Sequence, residues 1–128
     1  MEVEREQRSK AVSRIMAELA CSTVIVEGKH DVDALASLGI AAITEGSIAR
    51  NNINGRVCLL MDNDRRGIQR RERLYNKLLE MDKGIQIDVA SGERLQKMLN
   101  ITSIEQLCKP VREATSICIP LSISRSLL

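Results

Sequence analysis

At 128 residues and 14.3 kDa the chain has the size of one compact domain, which leaves little room for a second. Apolar residues make up 44% and charged residues 28%, as in a folded globular protein, and with one tyrosine and no Trp or Phe the core has to be aliphatic. A net charge of +2 is too mild to mark a nucleic-acid binder by itself, and no apolar stretch is long enough for a membrane-spanning helix.

In chain order, Val12, Ile15, Met16 and Leu19 recur at helical spacing behind a charged, solvated stretch, so residues 1–22 are predicted to open the chain with an amphipathic helix. "STVIVEG" is a short β-branched run stopped by Gly28, the pattern of a strand buried on both faces. "DVDALASLGI" follows as a helix with Asp31 as its N-cap and Gly39 as its end. "IAAIT" reads as the second strand and "EGS", with Gly46, as its turn. "NNINGR" is a turn-rich connection to the third strand, "VCLLMD". A helix is predicted from about Ile68 to Met81, burying Ile68, Tyr75, Leu78 and Leu79, with Gly84 as breaker before a fourth strand, "IQIDVA". Two short helical patterns follow, "GERLQKMLN" and "SIEQLC", the second ended by Pro110. Residues 111–128 form a tail in which Ile117, Ile119, Leu121 and Ile123 alternate with other residues, an edge strand at best because of Pro120. Such an edge is also a place where a second copy could pair. Alternating strands and helices imply an α/β fold in three layers, α/β/α, with a central, mainly parallel four-stranded sheet covered on both faces, occupying residues 23–110.

Cys21, Cys58, Cys108 and Cys118 show no metal-site or disulfide spacing and read as reduced packing thiols, Cys58 within the core. The opening "MEVEREQRSK" carries acids where a signal peptide would be apolar, so a cytoplasmic location is expected.

The chemistry is concentrated in two places. In parallel α/β sheets, ligands bind beyond the carboxyl ends of the strands. Glu27 closes the first strand and Asp62 the third, so the two can meet at one rim if the strands are neighbours. Asp64 follows Asp62 at a spacing of two, so an extended backbone would send both side chains the same way. Three crowded carboxylates raise one another's pKa, and a divalent cation relieves that conflict. With oxygen donors only, Mg²⁺ is the first choice and Mn²⁺ the second. An EF-hand reading of "DNDRRG" fails, because its fifth and twelfth positions fall on Arg66 and Arg73. A phosphoacceptor reading of Asp62 leaves "VEGKHD" unexplained, and the acids also fit ordinary caps and loop residues paired with Arg65 and Arg66.

"VIVEGKHD" together with "LLMDNDRRG" resembles the Toprim domain, the catalytic module of bacterial-type primases, topoisomerases and certain small nucleases. The matching positions are Glu27, Gly28 and Asp31, then Asp62, Asp64 and Gly67, with Gly46 at the turn after the second strand; the likeness spans about Thr23 to Ala90. It implies a Rossmann-like Toprim fold in which Asp62 and Asp64 hold the metal and Glu27 acts as general acid or base and also touches the ion. The "EGK" form and arginine-rich second motif look most similar to small stand-alone Toprim proteins and to the nuclease that matures the smallest ribosomal RNA. The chain departs from topoisomerases and primases: its sole tyrosine, Tyr75, falls on an expected core face, and zinc-binding and template-binding regions are missing.

Arg66, Arg70, Arg73 and Lys77 are spaced by four, three and four, one stripe of the helix after the acids, flanked by Arg65 and Arg71. Cations at a helix N-terminus oppose its dipole, and a phosphate backbone would account for them, as would a solvated face balanced by Glu72. Lys29, Arg65, Arg66 and Arg70 are the candidate phosphate ligands; Gly28 and Gly67 are read as backbone necessities, a turn and a close approach. Lacking aromatic platforms, the chain is expected to grip nucleic acid through phosphates and shape. Two functions are expected: Mg²⁺-dependent phosphodiester chemistry, foremost hydrolysis of structured RNA, or a non-catalytic metal- and nucleic-acid-binding module in an RNA- or DNA-processing complex; a homodimer or a protein complex is the expected assembly.

Overall fold

The computed structural model describes residues 2–50, 53, 55–81 and 84–115. Helix α1 spans Glu2–Ala20, strand β1 Thr23–Val26, helix α2 Lys29–Ala36 and strand β2 Ala42–Thr44. A 3-10 turn, Glu45–Arg50, leads towards strand β3, Arg56–Leu59; helix α3 spans Arg65–Met81 and strand β4 Gln86–Asp88. Helix α4, Ala90–Leu99, a 3-10 turn, Ile104–Gln106, and helix α5, Cys108–Thr115, complete the described chain.

The strands form one four-stranded, all-parallel sheet in the order β2-β1-β3-β4, flanked by helices in a three-layer, Rossmann-like arrangement. Period-two alternation divides the core between its faces. Val24 and Val26 of β1 and Cys58 of β3 join Val12, Ile15 and Leu19 of α1, Leu35 of α2, Leu95 and Leu99 of α4 and Val111 of α5. Ile25, Val57 and Leu59 point the other way, against Leu74 and Leu78 of α3, with Ile48 and Ile53 closing that side. Helix α2 therefore covers one face and α3 the opposite one. The connection after β1 runs to one side of the sheet and the connection after β3 to the other, which opens a crevice between the carboxyl ends of these two neighbours.

Several expectations need correction. On α1, Ser9 lies within the stretch expected to be solvated but is buried, its hydroxyl donating to the Ala114 carbonyl of α5. On α3 the buried stripe is Gly67, Arg71, Leu74 and Leu78, not the stripe containing Tyr75 and Leu79, which are 37% and 51% exposed. Arg71 thus leaves the basic face. Pro110 does not end a helix; it lies in the first turn of α5, where its missing N–H would have had no partner, and the chain stays helical through Thr115. Residues 111–115 are accordingly not part of a strand, and the proposed edge strand at 117–123, like Cys118, lies outside the described residues. Cys58 is core as expected, its thiol pushed up to about 12 chiefly by burial, whereas Cys21 is exposed. Among the described residues no helix is long and apolar enough to cross a membrane.

Candidate metal centre

Glu27 follows β1 directly, and Asp62 follows β3 after Leu60 and Met61, whose side chains are buried. The pairing with β1 continues one residue past the end of β3, since the Leu60 N–H donates to the Ile25 carbonyl at 2.9 Å. Both acids are delivered to the crevice between β1 and β3. One carboxylate oxygen from each of Glu27, Asp31 and Asp62 lies within 4.8 Å of the others. An open cleft of about 300 Å³ includes this trio and Gly28. Asp64, Glu105, Arg66 and Arg70 complete its lining.

The electrostatics are those of acids sharing too little charge compensation. Burial, a hydrogen bond with Asp62 and the Asp62 charge raise the Glu27 carboxyl to about 7, against which Arg70 pulls only weakly. Asp31 is also raised, first by burial and then by Asp62, while its bond to the Gly28 N–H acts in the opposite direction. Asp62 is anchored from a distant segment: its Oδ1 accepts the Ile104 N–H at 2.9 Å.

The sequence marks Asp31 as a cap and not as a metal ligand, and its position in the helix explains its place in the trio. Helix α2 begins earlier than expected, with Gly28 as N-cap and Asp31 at N3, where Oδ2 accepts the Gly28 N–H at 3.2 Å. An acid that reaches back to Gly28 necessarily comes close to Glu27. Asp64 behaves differently. The chain bends at Asn63 and Asp64 instead of staying extended, and Asp64 Oδ1 accepts the Gly67 N–H at 2.7 Å, capping α3. It lines the cleft but is not one of the trio.

Gly67 is a true close approach: a Cβ there would lie 1.9 Å from the Asp62 carbonyl oxygen. Gly28 is not a forced turn. Its backbone is extended, at φ −145° and ψ 176°, and a Cβ would meet nothing within 4 Å, although the residue lines the cleft. Gly46 lies in the 3-10 turn after β2, likewise with open space around it and outside the cleft. Of the candidate phosphate ligands, Arg66 and Arg70 reach the cleft; Lys29 and Arg65 are exposed and outside its lining. A larger hollow of about 620 Å³ beside α3 and β4, lined by Arg71, Tyr75, Ile87 and Val89, contains one acid, Glu72, and no acidic cluster.

No protein-family model matches the chain, and no curated protein matches it either. A solved structure of a protein from Aquifex aeolicus is similar, with a TM-score of 0.61 and 24% identity over 73% of this chain and 95% of that one. At that identity the likeness speaks to the fold alone.

Proposed function

We propose that this chain performs Mg²⁺-dependent phosphodiester chemistry of Toprim type on nucleic acid, foremost hydrolysis of structured RNA, in the cytoplasm. The observation that carries this reading is the meeting of Glu27, Asp31 and Asp62 in the crevice between β1 and β3, with Arg66 and Arg70 beside them. The donor set fits a hard cation: three carboxylates, no His and no Cys. Mg²⁺ suits it first and Mn²⁺ second. Asp62 and Asp31 would hold the ion, with Glu27 in reach of it, and Asp64 alongside as a cleft-lining acid.

When bound, such an ion would neutralise the crowded carboxylates and stabilise charge building on a phosphate oxygen. The rest is work for the chain's own side chains. Without an ion, burial and crowding raise the Glu27 carboxyl to about 7; beside a bound dication its ionised form would be favoured, and that carboxylate can take a proton from an attacking hydroxyl or water and return it to a leaving oxygen. Arg66 and Arg70 offer guanidinium forks to phosphate oxygens. Gly28 leaves room for a phosphodiester to approach the backbone.

The test is incubation of structured RNA and DNA with Mg²⁺ or Mn²⁺. RNA cleavage is expected from the parent chain, reduced by about 10²–10⁴-fold in Glu27→Gln and abolished in Asp62→Asn. Cleavage that persists in both variants defeats the reading. A second reading, a binding module without turnover that serves in a processing complex, is favoured by the commitment of Asp64 to capping α3. Retarded migration of RNA without cleavage would select it.

A further inference from the structure

Metal binding of the kind proposed above depends on where Asp62 points, and the cleft does not contain the groups that fix it. We infer that Gln96, on α4, is the positioning residue for Asp62, an inference that rests on the metal-binding reading. Gln96 is a polar side chain in the core, 1% exposed, with both ends of its amide bonded. Its Nε2 donates to the Met61 carbonyl at 2.6 Å, and its Oε1 accepts the Asn63 N–H at 2.9 Å. Those two peptide groups lie on either side of Asp62.

The segment after β3 needs such a clamp. Beyond Leu60 it no longer pairs with β1 in the sheet, yet it must hold a carboxylate in place beside two other acids. An amide supplies a donor and an acceptor from one rigid plane, which a carboxylate or a thioether of similar length does not. Leu95 and Leu99 of the same helix are apolar core residues, so Gln96 places a polar amide within a core region. The frame extends further along the chain, because Asn63 N–H also reaches the Thr102 carbonyl at 2.8 Å and Ile104 N–H holds the Asp62 carboxylate. Gln96 fixes the backbone from which Asp62 hangs, and Ile104 turns its carboxylate.

The experiment is calorimetric titration with Mn²⁺ alone of the full chain, Gln96→Met and Leu99→Ala. Gln96→Met is expected to weaken Mn²⁺ binding by about 10- to 100-fold, the usual cost of losing a group that orients a metal ligand. Leu99→Ala, which loosens the same helix but leaves the amide in place, is expected to keep its affinity within about twofold. Unchanged binding in Gln96→Met, or equal losses in both variants, would overturn the assignment of Gln96. No Mn²⁺ binding by the parent chain would instead overturn the metal reading itself. Should Gln96→Met not fold, Gln96→Asn, which keeps a buried amide but shortens its reach to the Met61 carbonyl and the Asn63 N–H, is titrated in its place: weakened Mn²⁺ binding is expected, and unchanged affinity would sink the inference.

Discussion

Glu27 and Asp62 share a hydrogen bond in the cleft, and with Asp31 nearby that bond has a consequence for pH dependence. The folded chain holds the Glu27 proton up to about pH 7, while the unfolded chain releases it near its ordinary value of 4.5. Between those values the folded state binds more protons, so without a cation this group's contribution to stability falls as pH rises through that window. A divalent cation replaces the proton, and its stabilising effect should grow across the same window. Melting temperatures with EDTA and with Mn²⁺ at about pH 5 and about pH 8 should show a larger Mn²⁺ gain at the higher pH. Glu27→Gln should flatten the EDTA dependence. A Mn²⁺ gain independent of pH would mean that Glu27 does not face the ion. Asp88 is shifted the other way, held low by Ser91 and Arg56 despite its burial, so its contribution is lost only in more acidic solution and does not overlap this window.

At the scale of elements, the rotation of α3 about its own axis is set by a glycine. The apolar residues Ile68, Tyr75, Leu78 and Leu79 suggest one buried face; Leu78 does enter the core, but the helix turns so that Leu74 joins it there, Gly67 lies on the Asp62 carbonyl, and Tyr75 and Leu79 stay exposed. Hydropathy carries no signal for a glycine or for an arginine buried along its stem, which is why Gly67 and Arg71, unlike Leu78, are not legible as parts of the buried stripe. Two substitutions separate contact from access. Gly67→Ala must displace backbone at Asp62 and should cost about 1–3 kcal/mol of stability together with metal affinity. Gly28→Ala meets open space and extended backbone, so denaturant unfolding should barely change while RNA binding weakens. Equal stability of the two variants would contradict the close approach at Gly67. Pro110 makes a similar point about position: a proline that usually stops a helix also fits its first turn, and only the start of α5 at Cys108 tells which applies.

For the whole molecule, an overall charge of +2 conceals a local arrangement. Acids collect at the crevice while Arg66 and Arg70 stand at its edge, and Arg73 and Lys77 continue along exposed α3. If phosphates lie along this helix, replacing Arg66, Arg70 and Arg73 with Gln should lower the salt-dependence slope of RNA binding by about 2. Arg66 and Arg70 should also affect turnover; Arg73 should affect affinity alone. An unchanged slope, measured by fluorescence anisotropy over a salt series, would assign the stripe to solvation.

Much of this architecture follows from local pattern. The β-branched runs ending in Glu27 and Asp62, and the alternation of strands with helices, determined a parallel sheet with acids at its carboxyl edge, because period-two burial and right-handed crossovers leave few other arrangements. Tertiary structure alone decided which acids meet. Asp31 entered because the helix begins at its N-cap, Gly28, and Asp64 was drawn into capping Gly67. Gln96 and Ile104, 34 and 42 positions beyond Asp62, hold that residue in place. Hydrogen bonds to backbone groups far along the chain leave no periodicity in a sequence, so the supports of the site became visible only once the helices had packed.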